Sequence, residues 1–270
     1  MIKFFRHIRQ RYISEGKTTK YFKYAIGEII LVVIGILIAL NINNWNENRK
    51  TKAHQLASMK EIIENLNYDI LRCENNIKTN TFIVQGLDSL RASISNTIDG
   101  KDETANIYYY SFKYATDYSK AVLNKSAYDE LINSGSVKGI ANRALVQELS
   151  DYYERIAFTV PEFNPKRAFE NLQTIRKKII SFKAFDGYIQ SYDAMNSDTF
   201  SVDYDFGAIQ KMEHLQLLQP QVLTLTDYYN EIAQCTIDLK TYMFYMSWAK
   251  GNAKSLIVDI QKEYDLTTTN

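Results

Sequence analysis

Residues 25–40 read AIGEIILVVIGILIAL, and between Ile29 and Leu40 ten of twelve positions are Ile, Leu or Val. A block this apolar has few homes: a bilayer, a cleaved signal sequence or the centre of a large core. On an insertion scale the ten residues contribute about −3 to −6 kcal/mol towards the bilayer. Twelve helical residues span only about 18 Å, short of a hydrocarbon core of about 30 Å. A helix drawn from Tyr21 to Trp45 supplies the length and sets Tyr21, Phe22 and Tyr24 at one interface and Trp45 at the other. A cleaved signal needs a short charged start and a small-x-small site after the apolar run. Here the preceding segment is 24 residues long and the run ends Ala39-Leu40-Asn41-Ile42-Asn43, so an uncleaved anchor is the expected state.

Charge orients the span. Residues 1–24 hold seven Lys and Arg against the single acid Glu15, whereas the whole chain carries only +1. The positive-inside rule keeps the basic end in the cytoplasm and sends the rest across. Because the basicity is local, the partner it implies is a bilayer with anionic headgroups, not nucleic acid. The expected domains are a basic cytoplasmic segment 1–24, a transmembrane helix 25–45, an extracytoplasmic helical domain 46–266 and a tail 267–270.

Glu28 lies about one turn inside the cytoplasmic edge. An intramembrane carboxylate is a functional candidate, and at this depth it is equally within reach of Lys20, Lys23 or lipid headgroups. Gly27, Leu31, Gly35 and Ala39 recur every four residues, and Gly35-x-x-x-Ala39 is a small-xxx-small pair of the kind that lets membrane helices approach closely. Gly27, Glu28, Gly35 and Ala39 are therefore the candidate packing residues, for a second copy or for a membrane partner.

Beyond the span, 3 Pro and 10 Gly in 270 residues leave few breaks, and a hydrophobic fraction of 46% supplies a core. The expected fold is all-α: the membrane helix continues into a long antiparallel helical bundle or coiled coil with a distal cluster of shorter helices. A seam in alternating steps of three and four runs Leu56, Met59, Ile63, Leu66, Ile70, Cys73, Ile77, Asn80, Val84, Leu87 and on to Ile94. Lys60, Glu61, Glu64, Asp69, Arg72, Glu74 and Lys78 form its outer face, and the polar seam residue Asn80 reads as a register device. Asp99-Gly100 ends this helix. A Tyr-rich helix follows over 107–123, with Tyr110, Tyr114 and Tyr118 on one face. Ser126 opens the next helix, with Asp129 completing a capping box, and Gly135 closes it. Asn142 caps a further helix that Pro161 ends. Asn164-Pro165 restarts the chain as a helix to about Lys183. Residues 184–206, with alternating Phe200, Val202, Tyr204 and Phe206, read as a loop with a short strand. A short helix from Ile209 to Leu218 precedes a last long helix from Gln221 through Gly251 to Tyr264, which returns antiparallel to the first.

Chemistry-bearing residues are sparse. His7, His54 and His214 are far apart, and no HExxH, GxSxG or phosphate loop occurs. Gly135-Ser136-Val137-Lys138-Gly139 lacks the spacing of a phosphate loop. Cys73 and Cys235 form a disulfide in an oxidising compartment or stay as small buried apolar residues. Tyr110, Tyr114, Tyr118, Tyr128 and Tyr152 are the candidate aromatic binding patch, the alternative being core tyrosines with their hydroxyls at the surface. No catalytic residue, metal or cofactor is expected. The reading is a non-enzymatic, membrane-anchored helical module that binds a partner or ligand; the alternative is a structural subunit of an envelope complex.

The start MIKFFRHIRQRYISEGK, the span YAIGEIILVVIGILIALNINNWNENRK and the segment SAYDELINSGSVKGIANRALVQELSDYY resemble those of an uncharacterised family of single-pass membrane proteins from flavobacteria and other Bacteroidota. The resemblance implies an inner-membrane protein with a periplasmic helical domain and implies no activity.

Overall fold

In the computed structural model, residues 18–191 and 204–266 are described. Most of the basic segment, the 267–270 tail, and Phe200 and Val202 of the expected strand lie outside them. Every regular element among the described residues is helical.

Helix α1, Thr18–Ile98, is one unbroken helix of 81 residues, about 120 Å long at 1.5 Å per residue. It contains no Pro. Its most apolar 18-residue window has a mean hydropathy of 2.6, and none of that window is buried, so it is long and apolar enough to cross a membrane. From Gln55 the same helix enters the body. Met59, Leu66, Cys73, Asn80, Leu87 and Ile94, seven residues apart, are all buried, and Gly100 ends the run at φ +89°.

The chain then forms α2 (Thr104–Tyr114), α3 (Ser126–Asn133), α4 (Arg143–Glu162), α5 (Lys166–Ile179), α6 (Asp186–Ser191) and α7 (Val222–Glu263), with 3-10 turns at Ser136–Gly139, Phe182–Phe185 and Phe206–Lys211. Helix α7 repeats the heptad of α1: Ile232, Leu239, Met246, Ala253 and Ile260 are buried. The two long helices run antiparallel. Leu225 and Tyr228 share a core with Leu87, Leu90 and Ile94, while Leu256 and Ile260 share one with Met59, Ile62 and Leu66. Midway, Lys250 and Lys254 reach Glu74 at 3.8 and 3.6 Å. Helices α2 and α5 fill the half far from the apolar span, and α3 and α4 fill the near half.

Several local expectations are corrected. Asp69, expected on the outer face, is 1% exposed. The Tyr-rich helix stops at Tyr114, and residues 115–125 carry no regular structure. The Ser126–Asp129 capping box does not form: the Ser126 N–H is taken by Asn124 Oδ1 at 3.0 Å, one residue before the helix cap. Helix α5 ends at Ile179, before Lys183. The helix expected from Ile209 to Leu218 is a 3-10 turn, Phe206–Lys211, followed by irregular chain. Asn142 caps α4 as expected, accepting the Leu145 N–H at 3.1 Å, and Gly135 takes the left-handed conformation at φ +69°.

Candidate functional site

A strap formed by residues 115–125 lies across the middle of α1, held by side chains that reach it from the buried seam. Asp69, Asn76 and Asn80 stand at i, i+7 and i+11, so one face of the helix presents all three. Asn80 Oδ1 accepts the Ser119 N–H at 2.8 Å, and the Asn80 amide donates to Ser119 O at 3.1 Å. Asn76 donates to the same carbonyl at 2.8 Å. Both Asp69 oxygens accept the Asn124 N–H, at 3.1 and 3.0 Å, and Arg72 donates to Oδ1 at 3.1 Å. The chain between these anchors cannot continue α2, because its backbone groups are already paired across the fold. Arg176 works at the other end. Buried on α5, it donates to Ser111 O at 3.1 Å and Ala115 O at 3.2 Å, closing the carbonyl end of α2. Burial holds this guanidinium below its ordinary value.

Burial raises the Asp69 carboxyl above the usual range, against the pull of the Asn124 N–H and Arg72. Burial likewise pushes the Tyr152 and Tyr153 phenols up, with Asp69 the next cause; both hydroxyls are buried and unpaired. Beside the strap a small hollow of about 260 Å³ is lined by Val122, Leu123, Tyr153, Ile156 and Val160, a size and chemistry suited to one apolar side chain or acyl end.

The five candidate tyrosines do not gather in one patch. Tyr110 and Tyr114 stack on each other at 6.2 Å, in the far core with Gly86, where an added Cβ would run into the Tyr114 ring. Tyr118 sits in the strap against Phe169 and Tyr242 and donates to Asn164. Tyr128 stacks on Tyr153 at 4.4 Å, and Tyr152 meets Tyr153 edge-on and Trp248 face-on. Cys73 and Cys235 are free and buried; burial raises both thiols, Cys73 to about 12. In the apolar span, Gly27 and Gly35 have nothing within 4 Å of a built Cβ.

Among the described residues, His54 draws together a Ser–His–carboxylate grouping. His54 Nδ1 lies 3.4 Å from Ser136 Oγ and 3.3 Å from Ser58 Oγ, and Nε2 lies 3.9 Å from Glu130. The carboxylate is beyond hydrogen-bond range, and two hydroxyls share one ring nitrogen. Ser136 is instead a structural post: its carbonyl takes Gln55 Nε2 at 2.7 Å, tying the 3-10 turn to α1. Among the described residues no His, Cys, Asp and Glu group could hold a metal ion.

A groove of about 1010 Å³ runs between α4 and α7. Tyr152, Arg155 and Phe158 line one wall, and Phe244, Trp248 and Asn252 the other, each set at helical spacing. Arg155 lies 5.0 Å over the Trp248 ring, and Phe163 stacks on Tyr245 at 4.2 Å. Such a surface offers apolar area with polar edges and no reactive constellation.

Residues 28–164, just over half of the chain, match a family model described as a family of unknown function (DUF6090). The chain belongs to that family. The match takes in the apolar run Ile29–Leu40, the Asp69–Asn76–Asn80 ladder, the strap and all of α4, and it stops before α7. No curated protein and no solved structure matches the chain.

Sequence reasoning missed Asp69, Asn76 and Arg176. A signal for the first two was present: Asp69 and Asn76 repeat the heptad position of the buried Ile62, seven residues apart. Arg176 carries none, since its role depends on where α2 ends.

Proposed function

We propose that this protein is a non-enzymatic recognition module held by a single membrane anchor, with residues 1–24 in the cytoplasm, 25–45 in the bilayer and 46–266 outside the cytoplasm. The supporting observation is the continuity of α1. Its span around Ile29–Leu40 is exposed throughout, whereas the same helix from Gln55 onward is a buried wall of the body. A rigid rod of this kind sets the α4–α7 groove at a fixed height and orientation above the membrane, which suits capture of a partner. The excess of Lys and Arg before the span supports the orientation, and anionic headgroups are the partner for that segment. Alkaline phosphatase fused after Asn270 is expected to be active, while a reporter that works only in the cytoplasm is silent there. The reverse pattern sinks this topology.

A structural subunit of an envelope complex is the second reading. It is favoured by Leu223, Ile237 and Val258, exposed and spaced by multiples of seven on the face of α7 opposite its seam. Solvent-exposed apolar residues in register are a surface for assembly. A stoichiometric partner recovered after crosslinking in native membranes, and lost on Ile237→Lys, would favour this reading.

A further inference from the structure

The α4–α7 groove has two chemically different ends. Far from the apolar span it is aromatic: Phe158 and Phe244 are 63% and 66% exposed, beside Trp248 and the Phe163–Tyr245 stack. Exposure of two phenylalanines on facing helices is costly in water and marks a contact surface. Towards the span the walls turn acidic. Glu148, Asp151 and Glu154 line the groove, and Glu148 also lines the next hollow along, where Asp259 and Glu263 outnumber the single cation Lys262.

Among the described residues, Glu148, Asp151 and Glu154 make no ion pair. Asp151 and Glu154 accept only local hydrogen bonds, from Gln147 at 2.8 Å and Ser150 at 2.9 Å. The cation nearest in sequence, Arg155, is turned onto the Trp248 face. Between Glu148 and Phe163 the groove is about 22 Å long, room for about four turns of helix. A long open trough with apolar anchors at one end and unpaired carboxylates along its wall matches an amphipathic helix laid in a groove, with basic side chains on its flank.

We infer that the α4–α7 groove binds a basic amphipathic helix of a partner protein. Its apolar residues cover Phe158, Phe244 and Trp248, and its Lys and Arg side chains pair with Glu148, Asp151 and Glu154. This assignment rests on the recognition-module reading and names its partner chemistry. One wall, α4, lies inside the family match and the other, α7, lies outside it, so the trough requires the complete fold.

The test uses the full-length protein in phosphatidylcholine nanodiscs, which offer a basic peptide no anionic lipid. The ligand is a fluorescein-labelled amphipathic Leu/Lys peptide of about four helical turns, and binding is read by anisotropy. Saturable one-to-one binding is expected, with none for a Leu/Glu peptide of the same pattern. The double variant Glu148→Lys/Glu154→Lys and the double variant Phe158→Ser/Phe244→Ser should each weaken binding by about tenfold or more. All four positions are exposed, and unchanged thermal melting verifies that each variant folds. Equal binding of the two peptides, unchanged affinity in the charge-reversed variant, or full competition by spermine at equal charge overturns the inference. If the reporter fusions place the body outside the cytoplasm and the peptide still fails, only the partner chemistry falls.

Discussion

Replacing Asn80 with Ala removes the central clamp on the strap. Asn80 is 0% exposed and makes three hydrogen bonds: it accepts the Ser119 N–H at 2.8 Å and donates to Ser119 O and Asn76 Oδ1, both at 3.1 Å. In Asn80→Ala the Ser119 carbonyl keeps its Asn76 partner at 2.8 Å, but the Ser119 N–H loses its acceptor. A buried donor left unpaired costs about 1–3 kcal/mol. Ser119 is half-buried, so water recovers part of this and the lower half of the range applies. Truncation also leaves a cavity of roughly 40 Å³, which adds about 1 kcal/mol. The total is about 2–3 kcal/mol, a fall in Tm of roughly 4–12 °C for a body of this size. The control is Asn75→Ala, on the same helix but exposed, which should stay within about 0.5 kcal/mol. Far-UV circular dichroism melts of the full chain in detergent give the difference, and hydrogen exchange at the Ser119 amide localises it. If the two variants melt together, or the Ser119 amide keeps its protection in Asn80→Ala, the strap is not held by this ladder.

Two further outcomes follow from the same reasoning. Asp69 has a folded-state value raised above its ordinary 3.8 by burial, so its contribution to stability is complete below that value and is lost as pH rises through the folded-state value. Wild type should therefore lose ground to Asp69→Asn as pH rises above 3.8, read from urea midpoints; a gap that does not change with pH refutes this. In the span, Gly35 and Ala39 lie about one turn apart, and a Cβ built on Gly35 meets nothing within 4 Å. We propose that this face self-associates. Crosslinking in native membranes should then give a dimer that Gly35→Leu weakens without affecting insertion, and an unchanged dimer, or none in wild type, ends the idea.

The sequence by itself determined those features whose causes are local. An apolar run with a basic flank reads directly as a membrane-length helix. In α1 a seven-residue repeat marks Met59, Leu66, Cys73, Asn80 and Leu87 as a buried seam, although the expected Ile63, Ile70 and Ile77 are only half-buried and Ile62, Asp69 and Asn76 lie inside in their place. The antiparallel return of α7 follows from two long helices joined by a run of shorter ones. Asn142 as a cap and Gly100 and Gly135 as left-handed ends are written in single residues, because each solves a backbone problem within one turn. Tertiary structure alone decided where the Tyr-rich helix stops. Asn80, Asn76 and Asp69 capture the strap backbone across 39, 43 and 55 residues, and no local pattern carries bonds of that range. The same contacts bury Asp69 and divide the tyrosines among separate groupings. The groove, too, exists only after folding, since its acidic and aromatic residues come from two helices that meet when α7 returns along α1. Helical periodicity assigns a residue to a face; the packing of the other helices determines whether that face meets water, a carboxylate or a partner.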